Sequence, residues 1–159
     1  MMNDGHQNVL TCECGINKFS VKGKPLLRAI CHCQFCQDFN KSEYGDFLIY
    51  RKEQVIFIDQ SKSTYKSYKK PPIVKRGSCK QCGKPVLEYL QAPLFPKLVF
   101  IPAENHSQQE PLLQPSLHMF YHRRIRDAED QIPKYSGYLL SEMNFMGRLI
   151  SKLYLHDGK

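Results

Sequence analysis

The seven cysteines of the chain fall into three tight groups, Cys12-Glu13-Cys14, Cys31-His32-Cys33-Gln34-Phe35-Cys36 and Cys79-Lys80-Gln81-Cys82. Cysteines one or two residues apart aim their sulfurs at a common centre from a single turn, and two such turns complete a tetrahedral thiolate site. That is the spacing of metal ligands rather than of disulfides. Seven ligands divide naturally into four plus three. Gly15 follows Cys14 and Gly83 follows Cys82, and a glycine there relieves a tight turn and lets amide N–H groups face the sulfurs. Cys12, Cys14, Cys79 and Cys82 therefore read as the ligands of one closed structural zinc. Cys31, Cys33 and Cys36 have no fourth cysteine left to join them. Three protein ligands and a vacancy describe a zinc that takes substrate or water. Other readings of the trio stay open here: a structural zinc closed by His32, His118 or His122, a redox disulfide, or an iron–sulfur cluster. His32 lies between two ligands in an extended run, so its side chain is expected to point away from them.

The elements that must position these groups read mostly as short strands. Alternating, β-branched or aromatic runs at 16–21, 26–30, 47–50, 55–58, 64–68, 86–90, 98–101 and 117–121 predict them, and ten prolines and nine glycines punctuate the sequence. Between 36 and 42 the pattern predicts one helical turn and a loop over the open metal site. Residues 105–115 form a polar loop bounded by proline. From 138 to 155 the apolar positions Leu139, Met143, Met146, Leu149, Ile150 and Leu153 recur at three- and four-residue spacing, which predicts an amphipathic helix packed on a sheet. A homodimer contact through this helix is the alternative; two flanking charges, Arg148 and Lys152, are few for a membrane anchor.

A chain of 159 residues suits a single domain, 1–159, with one core. Structural zinc, which contributes on the order of 10–16 kcal/mol in small modules, would stitch it together. No apolar run is long enough to cross a membrane, and the first residues are polar rather than secretory. Free thiolates fit a reducing, cytoplasmic compartment. The net charge of +8 attracts anions of every kind, nucleic acid and small acidic metabolites alike. Most lysines and arginines between 51 and 76 lie among strands and read as solvated outward faces.

Taken together, the C-x-C-G near the start, the C-H-C-x-x-C-Q group and the segment Gly77-Ser78-Cys79-Lys80-Gln81-Cys82-Gly83-Lys84-Pro85 resemble the glutathione-dependent formaldehyde-activating family. Pro115-Ser116-Leu117-His118-Met119 looks like the family's short proline-to-histidine strand, so the resemblance runs over about residues 9–135 and leaves 136–159 as a helical extension. It implies a mainly β, Mss4-like zinc-bound fold of several small antiparallel sheets. It also implies structural zinc on Cys12, Cys14, Cys79 and Cys82, reactive zinc on Cys31, Cys33 and Cys36, hence two Zn²⁺ per chain, and carbon–sulfur lyase chemistry on S-hydroxymethylglutathione. The chain departs from the family in its loop 38–46, which lacks the usual small-residue step, and in having no tryptophan, with Ile125 where many members place one.

Zinc with three thiolates carries a net charge of about minus one and sharpens water poorly, but suits a soft fourth ligand. The expected partners are therefore a small thiol such as glutathione, which would lose its proton there, and a small aldehyde to which the thiolate adds. Lys41 and Arg76 are candidates to hold the thiol's carboxylates, and Tyr44, His118 and Glu43 are equal candidates for general acid or base. The rivals are a zinc-stabilised basic module that binds nucleic acid or protein, and a non-catalytic chaperone like Mss4. For either the four-cysteine site alone would suffice.

Overall fold

A computed structural model describes residues 7–107 and 110–155. The N-terminal stretch noted as polar and two residues of the 105–115 loop lie outside the described residues. The strands are β1 (Gln7–Thr11), β2 (Lys18–Lys22), β3 (Leu27–Cys31), β4 (Gly45–Arg51), β5 (Val55–Phe57), β6 (Ser63–Lys66), β7 (Val74–Cys79), β8 (Pro85–Leu90), β9 (Leu98–Pro102) and β10 (His118–Met119). Helix α1 (Gln34–Asn40) lies between β3 and β4, and α2 (Tyr138–Leu155) closes the chain. Among the described residues these ten strands lie in two sheets, the mainly β class with a C-terminal helix that the sequence predicts. Strand β1 pairs antiparallel with β2, β2 with β5, β6 with β7, β7 with β8 and β8 with β9, while β3 and β10 run parallel.

The chain forms two compact units, one from the segments up to Pro25 and Ile49–Leu112, the other from Leu26–Leu48 and the segment from Leu113 on. In the first unit β1, β2 and β5 make a three-stranded sheet. Its alternation buries Leu10, Phe19 and Val21, and Phe19 stacks on Phe57 at 5.5 Å. A second run, β6 to β9, is a meander in which each strand pairs with the next. Arg76 on β7 stands directly opposite Glu88 on β8, and their side chains form a buried ion pair at 3.0 Å. Beside it Gly77 has no room for a side chain. A Cβ would sit 2.7 Å from the Tyr65 ring and 3.1 Å from the Leu87 carbonyl oxygen. Arg76 is thus committed to Glu88 and to the face of Tyr68, and is not available to hold the carboxylate of a thiol as its charge suggested.

In the second unit Ile30 and Cys31 of β3 pair with His118 and Met119 of β10. The main chain around 133–135 flanks β10 in turn, through His118 N–H to the Pro133 carbonyl and Tyr135 N–H to the His118 carbonyl. Helix α2 packs on β3 and β10. Its ends agree with the predicted 138–155, but its buried face is Ser141, Phe145, Leu149 and Leu153. Leu139, Met143 and Ile150, placed on the packed face by their spacing, are exposed. Leu149 and Leu153 of the predicted set are buried as expected, but the docked face is completed by Phe145 and by a serine whose hydroxyl is used inward, which hydropathy alone does not mark.

Candidate metal centres

Both ends of the four-cysteine centre are built the same way. Cys12 follows β1 and Cys79 ends β7; Gly15 N–H donates to the Cys12 carbonyl and Gly83 N–H to the Cys79 carbonyl, each at 2.9 Å. Gly15 and Gly83 have φ of +77° and +72°, the left-handed conformation that glycine adopts without cost. The sulfurs of Cys12, Cys14, Cys79 and Cys82 all lie within 4.8 Å of one another. Cys12 to Cys14 and Cys14 to Cys79 are each 3.6 Å, close to the roughly 3.8 Å edge of a tetrahedron with Zn–S bonds of about 2.3 Å. This donor set fits zinc.

Amide donors surround it. Asn17, fully buried, gives the Cys12 sulfur its backbone N–H at 3.4 Å and its side-chain amide at 3.6 Å. Gln81 and Cys82 N–H groups face the Cys79 sulfur. Burial alone would raise the Cys12 thiol, but the Asn17 donations outweigh it and bring it down to about 6. The Ile16 N–H would lower the Cys14 thiol, but burial and the neighbouring sulfurs outweigh it and push it up to about 12. Nothing in the cysteine spacing flagged Asn17; the Asn after a C-x-C-G turn was the available signal.

The second group gathers around the N-terminus of α1. Cys31 ends β3, Cys33 caps α1 and Cys36 lies in its first turn. The three sulfurs lie within 4.8 Å of one another, with Cys31 to Cys33 at 3.3 Å. The contact with Cys33 and near-complete burial push the Cys31 thiol well above its ordinary value. Among the described residues the group contains no histidine and no carboxylate. His122 accepts from Gly137 N–H instead. The site is braced from outside: Gln37 donates one side-chain amide to the carbonyls of His32 and Arg123 at 2.7 and 3.0 Å. Asn40 donates to the Cys36 carbonyl at 2.8 Å. Gly45 is the wall, since a Cβ there would stand 2.9 Å from Asn40 Nδ2 and 3.2 Å from Cys36 Cβ.

Three residues between or beyond the ligands form a hydrogen-bond chain. His32 Nε2 meets His118 Nδ1 at 2.9 Å, and His118 Nε2 meets Asp130 Oδ2 at 3.0 Å. Burial pushes His32 down to about 4. Burial would raise Asp130, but Lys134, His118 and the Ile132 N–H outweigh it and hold the carboxyl at about 2. Tyr44 and Tyr121 pack on the His32 ring at 5.6 and 5.3 Å. Of the acid–base candidates, Glu43 is paired with Arg126. His118 is embedded in the chain, and Tyr44 touches the His32 ring.

A sequence profile of the glutathione-dependent formaldehyde-activating enzyme family matches residues 8–123. The chain belongs to that family. The match includes all seven cysteines and His118, and helix α2 lies beyond it. Among solved structures, the crystal structure of a Rhodobacter sphaeroides protein superposes with a TM-score of 0.52 and 18% identity over 65% of this chain and 91% of that one; such identity speaks to the fold alone. No curated protein gives a significant match. Membership supports a glutathione-dependent, formaldehyde-activating role, the mostly β architecture agrees with an Mss4-like fold, and both cysteine clusters could bind metal.

Proposed function

We propose that this family member is a zinc-dependent, carbon–sulfur lyase-like protein that binds glutathione or a similar thiol at the trio and makes or breaks its adduct with a small aldehyde. The observation that carries the reading is a group of three sulfurs with no fourth protein donor beside it among the described residues. Cys12, Cys14, Cys79 and Cys82 hold a structural zinc, and Cys31, Cys33 and Cys36 hold a second. A zinc held by these three thiolates would supply an anionic, soft centre suited to a thiol as fourth ligand.

The chain's own residues do the rest. Gln37 and Asn40 fix the backbone that presents Cys33 and Cys36, and Gly45 keeps the space against Cys36 open. Lys41 and Arg123 offer cations to the carboxylates of the thiol. Arg123 has its carbonyl tied to the trio's loop by Gln37, and its guanidinium forms no ion pair among the described residues. A reducing compartment such as the cytoplasm keeps the seven thiols available. A basic binding module has the charge of +8 in its favour but leaves the trio without a use.

Native mass spectrometry and glutathione titration test the reading together. The wild-type chain carries two zinc ions and Cys36→Ser carries one; glutathione binds the first and not the second. One zinc in the wild type, or metal-dependent glutathione binding by Cys36→Ser, overturns it. The same spectrum reads whether α2 joins two copies.

A further inference from the structure

A groove of about 450 Å³ runs beside helix α2, wholly within the second unit. That volume is in the range of small-molecule sites. Leu27 and Met143 give it apolar walls, while Ser116, Ser151, Arg148 and Lys152 line it with hydrogen-bond donors. No Asp or Glu among the described residues lines it. The residues that α2 contributes lie beyond the 8–123 matched to the family.

Arg148 is oriented by neutral groups. Its guanidinium lies over the Tyr135 ring at 5.5 Å, donates to the Tyr135 hydroxyl oxygen at 3.3 Å and reaches Asn144 Oδ1 at 3.5 Å. Asn144, which also lines the groove, is itself held, since its side-chain amide donates to the Leu140 carbonyl at 2.9 Å. A guanidinium has five N–H donors, so this scaffold leaves most of them, and the whole charge, uncommitted. Lys152 stands one helical turn further on, at the i+4 position that shares a face with Arg148. Neither cation forms an ion pair among the described residues. The dipole at a helix C-terminus accounts for cations in the last turns, but not for an arginine tethered beside a groove. A fixed guanidinium fork next to a second cation suits an oxyanion with two charges.

Gly147 lines the same groove in the middle of the helix. Glycine weakens a helix there relative to alanine, and packing does not demand it, because a Cβ at Gly147 would meet no atom within 4 Å. What the missing side chain leaves is space in the groove.

We propose that this groove binds a small phosphomonoester. Arg148 and Lys152 hold the phosphate, helped by the Ser116 and Ser151 hydroxyls, and an apolar body lies against Leu27 and Met143 over Gly147. Two cations match the charge of about −1.5 to −2 that a phosphomonoester carries at neutral pH. Binding is non-covalent and uses none of the zinc chemistry proposed above, so either can fail without the other.

Phenyl phosphate is the probe, titrated into the zinc-loaded full chain and followed by ¹H–¹⁵N spectra. Saturable shifts are expected at Ser116 and along 143–152. Arg148→Gln keeps a polar side chain without the charge and should weaken binding about tenfold. Gly147→Leu fills the groove with a good helix former and should abolish binding with a melting temperature at or above that of the wild type. Benzoate, with one charge, and inorganic phosphate, with no apolar body, should bind more weakly. The inference is overturned by the absence of saturable shifts at the groove, by equal affinity in Arg148→Gln, by undiminished binding in Gly147→Leu, or by benzoate binding as tightly. Inorganic phosphate bound as tightly as phenyl phosphate overturns the organic ligand, and binding of phosphatidic acid vesicles without phenyl phosphate overturns a soluble one.

Discussion

Asn17 grips the Cys12 sulfur from two directions, with its backbone N–H at 3.4 Å and its side-chain amide at 3.6 Å. The same side chain accepts from the Ser63 hydroxyl at 2.7 Å and reaches the Lys62 carbonyl. One buried amide thus couples the first ligand turn to β6. Groups that hydrogen-bond to metal ligands orient them and tune the affinity of the site.

Asn17→Ala is expected to keep all four sulfurs and lose that coupling. The backbone donor to Cys12 survives, but Ser63 loses its acceptor. A stability loss of about 1–3 kcal/mol should accompany a metal affinity lowered roughly 10–100-fold. Thermal unfolding and the rate of zinc transfer to a chelator measure the two; unchanged transfer would show that the contact is structural only.

Much of this was legible in the sequence because metal-ligand spacing is local. Glycines after Cys14 and Cys82 marked the paired turns, and the ends of α2 followed from its periodicity. What stayed hidden depended on partners distant in the chain. Strand β7 reads as polar because Arg76 shows its charge and not the Glu88 opposite, and because Gly77 shows no sign of the Tyr65 ring that requires it. Strand β1 buries a single side chain, Leu10, too little for an alternation signal. Asp130 meets His118 across twelve residues, and no motif announces such a pair.

Tyr50 should govern part of the alkaline stability. Its phenol is buried against His106 Nε2 at 3.0 Å; His106 Nδ1 donates to the Pro102 carbonyl at 3.1 Å, so the tyrosine is the donor. Burial pushes Tyr50 up to about 12, against about 10 in the unfolded chain. The folded state keeps a proton that the unfolded state releases, so its contribution is complete below pH 10 and is lost as pH rises toward 12. Tyr50→Phe is expected to be less stable than wild type by about 1 kcal/mol at pH 8. Its deficit should close or reverse by pH 11.5, and denaturant melts at both pH values check this. A deficit constant with pH would contradict the burial argument.

Gly45→Ala tests the trio without touching a sulfur. The added methyl meets Asn40 Nδ2 and Cys36 Cβ. Asn40 is pinned to the Cys36 carbonyl, so Cys36 must move. Overpacking of this kind costs about 1–3 kcal/mol. Cobalt substitution should show a distorted or empty trio beside an intact four-cysteine spectrum; two intact cobalt signatures would mean that α1 yields instead.

Ser141→Ala tests what holds α2 against β10. The Ser141 hydroxyl accepts from the Phe120 N–H at 2.8 Å and donates to the Tyr135 carbonyl at 3.1 Å, and it is fully buried. Phe120 sits at φ +52°, a conformation that costs a non-glycine residue about 1–2 kcal/mol and needs its amide anchored. Alanine leaves a donor and an acceptor unmet on the residues flanking β10 and the 133–135 segment. A loss of about 2–3 kcal/mol is expected from the two unmet groups. It should appear as faster amide exchange at 118–121 and in α2, with the four-cysteine zinc retained. Because β10 carries His118, the His32 imidazole signals should broaden in the same sample. Faster exchange confined to α2 would mean that the serine anchors the helix alone and that β10 holds its shape without it.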